Sequence, residues 1–149
     1  LMARGPATQR ALSELFARRQ VSKRYAAVVA GRVDPSRGEI DLPLLTDWPN
    51  RPRQMVEPRL GKPSQTRYAL RHFDAATDTS RIALEPLTGR SHQLRVHMLA
   101  IGHPILGDSL YAPAAVRHAA PRLLLHAEYL AFAHPLDGKP CEFEIAAEF

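Results

Sequence analysis

The sequence predicts an α+β domain, a mixed, mainly antiparallel sheet with flanking helices, and three observations carry that expectation. Short apolar runs bounded by Gly, Pro, Asp and Asn recur along the chain, while helical spacing is confined to a few segments. A chain of 149 residues that is 45% hydrophobic and 23% charged is long enough for one real core. No internal repeat or low-complexity tract is visible, so neither a solenoid nor a linker is supported.

Taken in order, "GPATQRALSELFARRQ" places Ala11, Leu12, Leu15 and Phe16 at helical spacing behind Pro6, which suits a first-turn position. "KRYAAVVAGRV" follows as a doubly apolar strand from about Tyr25 to Ala30, ended by Gly31. "EIDLPLL" reads as a further strand that Pro43 limits to an edge or bulge. From Thr46 to Pro63 the chain is rich in Pro, Arg and Gly with little periodicity, and a long functional loop is expected there. "TRYALRHF" and "SRIALEPL" pair across "DAATDT", and "LLLHAEYLAFAH" and "CEFEIAA" close the domain as a hairpin around "PLDGKP". Between those pairs, Ser91 is placed to cap a helix running to about Ile101, with Leu94, Met98 and Ile101 on one face and Gly102 just past its end.

Composition narrows the function classes. The lone Cys141 excludes an intrachain disulfide, and no apolar run approaches the roughly 18 residues of a membrane span. Neither a charged leader nor a cleavage site precedes an apolar run, so the expectation is a cytoplasmic, monomeric protein away from membranes; a chain beginning at Leu1 reads as a cut piece. Net charge is +5 and the pI near 9.9. Of the 20 cations only Lys23, Lys62 and Lys139 are lysines, leaving 17 arginines. The planar arginine fork suits phosphates and base edges, so the balance favours a nucleic-acid partner.

The densest chemistry lies in "LTGRSHQLRVHMLAIGHPILGD", Leu87 to Asp108, with two arginines, three histidines and no carboxylate before its last residue. His92 and His97 are five apart, about 140° around a helix rather than the four that aligns two ligands, so no metal site is expected. Arg90 stands just before a helix N-terminus, where unpaired N–H groups already make a positive field. Something anionic must answer it, either a carboxylate from elsewhere or a phosphate at the same helix end.

"TGRSHQLRVHMLAIGHPILGD", together with "KRYAAVVAG" and "LLLHAEYLAFAHP", closely resembles the RluA-type RNA pseudouridine synthases, in the same order along nearly the whole chain. "DWPNRPRQ" followed by "GKPSQT" resembles the RluA subgroup, whose substrates are an anticodon-arm uridine of tRNA and a hairpin uridine of large-subunit rRNA. The resemblance implies the pseudouridine synthase catalytic-domain fold and isomerisation of a flipped uridine in an RNA stem-loop, without cofactor or metal. It implies a carboxylate acting at ribose C1′ that a buried arginine, matching Arg90, keeps ionised. An aromatic residue matching Tyr25 stacks on the base and helps move the C5 proton, and an aliphatic one matching Leu94 closes the pocket. The RNA-binding candidates are Trp48, Asn50, Arg51, Arg53, Lys62, His92 and Arg95.

The chain departs from that family in one respect: the His-Arg-Leu-Asp string that carries the acting aspartate, expected a few residues before the helix at Pro6, is missing. Residues 1–149 are therefore expected to be the C-terminal portion of the catalytic domain, inactive by themselves, and Asp41, Asp47 and Asp108 are not promoted to the vacant role. Two other classes stay open: an RNA-binding module without catalysis, and a metal-dependent nucleic-acid hydrolase, for which carboxylate ligands are wanting. In isolation, Trp48 either packs the long loop or stacks on a base, Arg95 either reaches a phosphate or faces solvent, and His126 is expected to be a hydrogen-bonded core histidine.

Overall fold

The computed structural model describes residues 2–149. Helix α1 (Pro6–Ala17) starts at its proline, which has no N–H to leave unpaired, and turns Leu12 toward Val21 and Phe132. Strand β1 (Ser22–Ala30) begins before Tyr25, because Ser22, Lys23 and Arg24 already pair with the strand beside them. The segment expected as one strand around Pro43 splits in two, β2 (Arg37–Asp41) and β3 (Leu44–Thr46), since a proline cannot donate to a ladder.

The stretch expected as an irregular loop holds a small second sheet. Strand β4 (Gln54–Val56) pairs with β3, and a 3-10 turn over Trp48–Asn50 joins them. The Asn50 amide donates to both Asp47 carboxylate oxygens at 3.1 and 3.0 Å, and Asp47 N–H donates to Arg53 O at 3.0 Å. Three-residue strands are too short to show periodicity, which is why the sequence does not announce them.

Strands β5 (Gln65–Asp74) and β6 (Thr79–Pro86) form the expected pair, followed by helix α2 (Gln93–Ala100), a short α3 (Ala114–His118), β7 (Leu125–Ala133) and β8 (Pro140–Glu144). The large sheet has the order β2-β5-β6-β1-β7-β8. Every pairing among the described strands is antiparallel, so the sheet is not mixed. The reason is topological: β6 and β7 run in the same direction, but β1 lies between them and pairs antiparallel with both.

One face of this sheet presents Ala27, Val29, Ile40, Ile82 and Leu84 to Leu94 and Met98 of α2 and to Ile105. Met98 is fully buried, and truncating such a side chain costs about 2–5 kcal/mol. Arginine–glutamate pairs such as Arg67–Glu39 and Arg24–Glu144 stay at the surface. Ser91 does not cap α2. The N-cap is His92 in the left-handed region at φ 52°, with no side-chain cap; Gln93 instead fixes the loop ahead of the helix, its Oε1 accepting the Arg90 N–H at 3.0 Å. The helix ends as predicted: Gly102 takes φ 87° and its N–H reaches Leu99 O at 3.0 Å.

Candidate active site

A cavity of about 260 Å³ opens where the first half of β1 meets the segment between β6 and α2. Tyr25, Leu94, Leu125 and Pro86 form its apolar walls; Lys23, Thr88, Arg90, His92 and Arg95 are its polar ones. It falls just below the roughly 300–1,000 Å³ of pockets for drug-sized ligands, so it suits one planar base better than a whole nucleotide. Tyr25 is held by pairing on both sides, to Leu84 of β6 and Ala127 of β7, with a bulge between Arg24 and Tyr25. Bulges re-aim side chains beside functional sites. Burial pushes the Tyr25 phenol above its usual pKa of 10, so its hydroxyl carries its proton at neutral pH.

The electrostatics are one-sided. No carboxylate lines the cavity among the described residues. A second notch of about 290 Å³ shares Lys23, Thr88, Gly89 and Arg90 with it and adds Arg19 and Phe16. Lys23 is half-buried with Nζ 3.5 Å from Thr88 O, and desolvation lowers its pKa from 10.5. Three cations thus converge on a segment with no anion of its own, a poor arrangement for stability and a good one for a phosphate or carboxylate.

A directed hydrogen-bond chain fixes that segment. Gln93, which is buried, donates through Nε2 to Gln65 O at 2.8 Å and to Thr66 Oγ1 at 3.0 Å. Its Oε1 accepts from the Thr88 hydroxyl at 2.7 Å, besides Arg90 N–H, and Thr88 Oγ1 in turn accepts Gln65 N–H at 2.9 Å. Because the Leu42 carbonyl can only accept, the fully buried His97 donates to it through Nε2 at 3.0 Å, and Nδ1 of the neutral ring accepts the Thr66 hydroxyl proton at 2.9 Å. Each donor meets an acceptor, which locks His97 in its neutral Nε2–H form. Consistently, burial lowers its pKa from 6.5, and the Leu42 carbonyl and Asp41 offset this only in part.

A family model described as RNA pseudouridylate synthase matches residues 1–100. The chain is 52% identical over 143 residues to the dual-specificity RNA pseudouridine synthase RluA of Escherichia coli (strain K12), which covers 96% of this chain and 65% of that one. It is 46% identical over 150 residues to the protein of that name from Pasteurella multocida, covering 68% of its length. The chain belongs to the RNA pseudouridylate synthase family. The solved structure of human RNA pseudouridylate synthase domain containing 1 superposes with a TM-score of 0.79 at 35% identity, over 95% of this chain and 61% of that one. The sequence expectation of this family and of its α+β fold is met.

Within this member of the pseudouridylate synthase family, the sequence-selected residues fall into two groups. Tyr25, Arg90, Leu94, His92 and Arg95 all line the cavity. Trp48, Asn50, Arg51, Arg53 and Lys62 lie instead on and beside the β3–β4 hairpin: Trp48 is 66% exposed with the Arg51 guanidinium 4.7 Å from its ring, and Lys62 is exposed and bridges to Leu44 by its backbone. Three placements differ from expectation. Arg90 is exposed rather than buried, with Nε–H on Pro63 O at 3.3 Å, because the loop before α2 turns it outward. Arg95 is neither solvated nor free for a phosphate: it grips Asp108 with two bonds of 2.8 and 2.6 Å. His126 is hydrogen-bonded, to Ile145 O at 3.1 Å, but half-buried rather than in the core.

Lys23, Gln93 and Asp108 were not singled out as site residues, although two signals were available. Lys23 is two residues from Tyr25 in a strand, and Gln93 and His97 are polar at i and i+4 on a helix whose neighbours are apolar. Asp108 gave no such signal, since only the fold brings it to Arg95. Among the described residues no helix is long and apolar enough to cross a membrane.

Proposed function

We propose that residues 1–149 form the C-terminal portion of the catalytic domain of an RNA pseudouridine synthase that isomerises a flipped uridine of a tRNA or rRNA stem-loop, as a cytoplasmic monomer. One observation carries the proposal: Tyr25 on β1 meets Arg90 and Leu94, which lie far from it in sequence around the start of α2, in a single base-sized cavity. In this scheme Tyr25 offers its ring face to the extruded uracil and Leu94 covers the other side, excluding water. The N1–C1′ bond breaks, the base turns within the cavity, C5 bonds to C1′, and the proton leaving C5 is balanced by one gained at N1. Arg90 and Lys23 hold the carboxylate that acts at C1′, which is none of the residues lining the cavity. The hairpin with Trp48, Arg51, Arg53 and Lys62 holds the stem-loop, aromatic and cationic groups interleaved as single-stranded and looped RNA requires.

The natural protein and its Arg90→Lys variant test this, with pseudouridine quantified by mass-shifted derivatisation and stem-loop affinity by titration. Replacing a planar fork by a point charge lowers turnover by more than about tenfold while affinity falls by less than about threefold. A parallel fall makes Arg90 a phosphate contact. The 149-residue chain alone binds the stem-loop and forms no pseudouridine; turnover by it would assign the chemistry to a carboxylate away from the cavity, and turnover by neither protein would leave an RNA-binding module.

A further inference from the structure

Tyr111 lies in neither sheet nor helix, yet it stands at the junction of the two groups of site residues. Its hydroxyl accepts the backbone N–H of Gln54, in β4 of the hairpin, at 2.8 Å, and lies 2.7 Å from Nδ1 of His92 in the cavity wall. Its ring meets the His92 ring edge-on at 5.6 Å and carries the guanidinium groups of Arg53 and Arg95 at 5.4 and 4.9 Å. The residue itself is held by Asp108, whose Oδ1 accepts Tyr111 N–H at 3.0 Å.

Donor and acceptor roles follow from chemistry. A backbone N–H can only donate, so the phenol oxygen accepts from Gln54; the phenol proton then needs an acceptor, and Nδ1 of His92 is the one within reach. His92 is thereby fixed as the Nε2–H tautomer. Its opposite nitrogen, a donor, has no protein partner among the described hydrogen bonds and belongs to a residue lining the cavity. His92 also occupies a strained left-handed position at φ 52°, of the kind that persists where surrounding contacts impose it.

We propose that Tyr111 is a positioning residue that sets the His92 tautomer, so that His92 presents a fixed N–H donor to an acceptor oxygen of the bound RNA, and that it ties this donor to the RNA-holding hairpin. The chemistry selected at that point is a carbonyl or phosphate oxygen, since a protonated nitrogen would meet only repulsion. The first half of the proposal concerns the free protein; the second rests on the RNA reading given above.

Nitrogen-15 NMR of the histidine rings in the 149-residue chain reads the tautomer directly, without RNA. The expected result is a single Nε2–H form of His92 in the wild type and a mixture in Tyr111→Phe, which keeps the ring and both cation contacts. A wild-type His92 protonated on Nδ1, or a Tyr111→Phe spectrum unchanged at His92, overturns the role of Tyr111. A uridine-containing stem-loop is then titrated. The Trp48 indole and His92 ring signals move with one midpoint in the wild type; in Tyr111→Phe the Trp48 response persists and affinity falls about tenfold, the usual scale for a lost buried hydrogen-bond partner. His92→Asn, which tolerates the left-handed backbone and lacks the imidazole donor, gives a similar loss of affinity, with a melting temperature lowered by only about 3 °C for the acceptor the phenol loses. A Trp48 response without any His92 response overturns the donor role. No response of either signal removes the RNA reading instead, and the tautomer result still decides the part played by Tyr111.

Discussion

Replacing Asp108 by Asn removes one charge from a pair that water scarcely reaches: the side chains of Arg95 and Asp108 are 14% and 1% exposed. Burial alone would raise the Asp108 carboxyl, but the two bonds from Arg95, the N–H groups of Leu110 and Tyr111 and the Arg95 charge more than offset it and hold it below its usual 3.8. The carboxylate form is therefore the one the fold binds. In Asp108→Asn the amide carbonyl still accepts a backbone N–H, but its NH₂ group faces the donors of Arg95, which is left charged and unpaired. Breaking a buried pair in this way costs about 3–5 kcal/mol, and the retained acceptor puts the variant near the lower end, about 3. With an unfolding entropy of about 2.1 cal/mol/K per residue, a chain of this length loses about 10 °C of melting temperature. Calorimetry at pH 7 measures it, with Glu39→Gln as control, whose exposed pair with Arg67 is worth no more than about 1 kcal/mol. The sign with pH is also fixed: a depressed carboxyl pKa contributes stability above pH 3.8 that disappears as pH falls through the folded value. A shift below about 3 °C, or one no larger than the control, would refute the claim that Asp108 answers Arg95 inside the fold.

Gln93→Leu strands the Thr88 hydroxyl proton and the Arg90 N–H together, while the Gln65 carbonyl keeps the Leu87 N–H, so urea denaturation should show a loss of about 2–4 kcal/mol, and a loss under 1 would mean the chain of bonds is replaceable. His97 is neutral in the fold with its pKa below 6.5; stability is complete above that value and declines as pH falls beneath it, by at most about 1.4 kcal/mol per pH unit. Urea midpoints between pH 7.5 and 5.5 check this against His97→Gln, and parallel curves for the two proteins would refute it. Stem-loop affinity should fall steeply with salt, and alanine at both Arg51 and Arg53 should reduce the slope by about 1–2, whereas an unchanged slope would place the phosphates elsewhere.

The cavity's residues were legible to different depths. Tyr25, Arg90 and Leu94 stand in strings long enough to carry the family likeness, and the face of α2 that bears Leu94 and Met98 follows from helical spacing. The hairpin looks like loop in the sequence because β3 and β4 are three residues each and their pairing follows no periodic pattern. The sequence points to Arg90 as the buried arginine, and the fold buries Arg95 instead. Arg90 appeared to need an anion because of the helix field, yet the loop carries it into water, while Arg95, one turn on, is the one enclosed, because Asp108 reaches it from beyond the helix. Pairings between residues distant in sequence leave no trace in composition or period; the Tyr111 contacts to Gln54 and His92 are of the same kind.

The position of β1 between β6 and β7 decides how the cavity yields under stress. Tyr25 and Lys23 sit on the strand with a neighbour on either side, whereas β2 and β8 are the outermost strands. Amide protons of β8 should exchange by local fraying, at a small fraction of the global free energy, while those of Ala26 to Val29 exchange only when the whole domain opens. Warming or mild denaturant therefore wears the molecule from its margins inward, and the walls of the cavity are the last part to be lost.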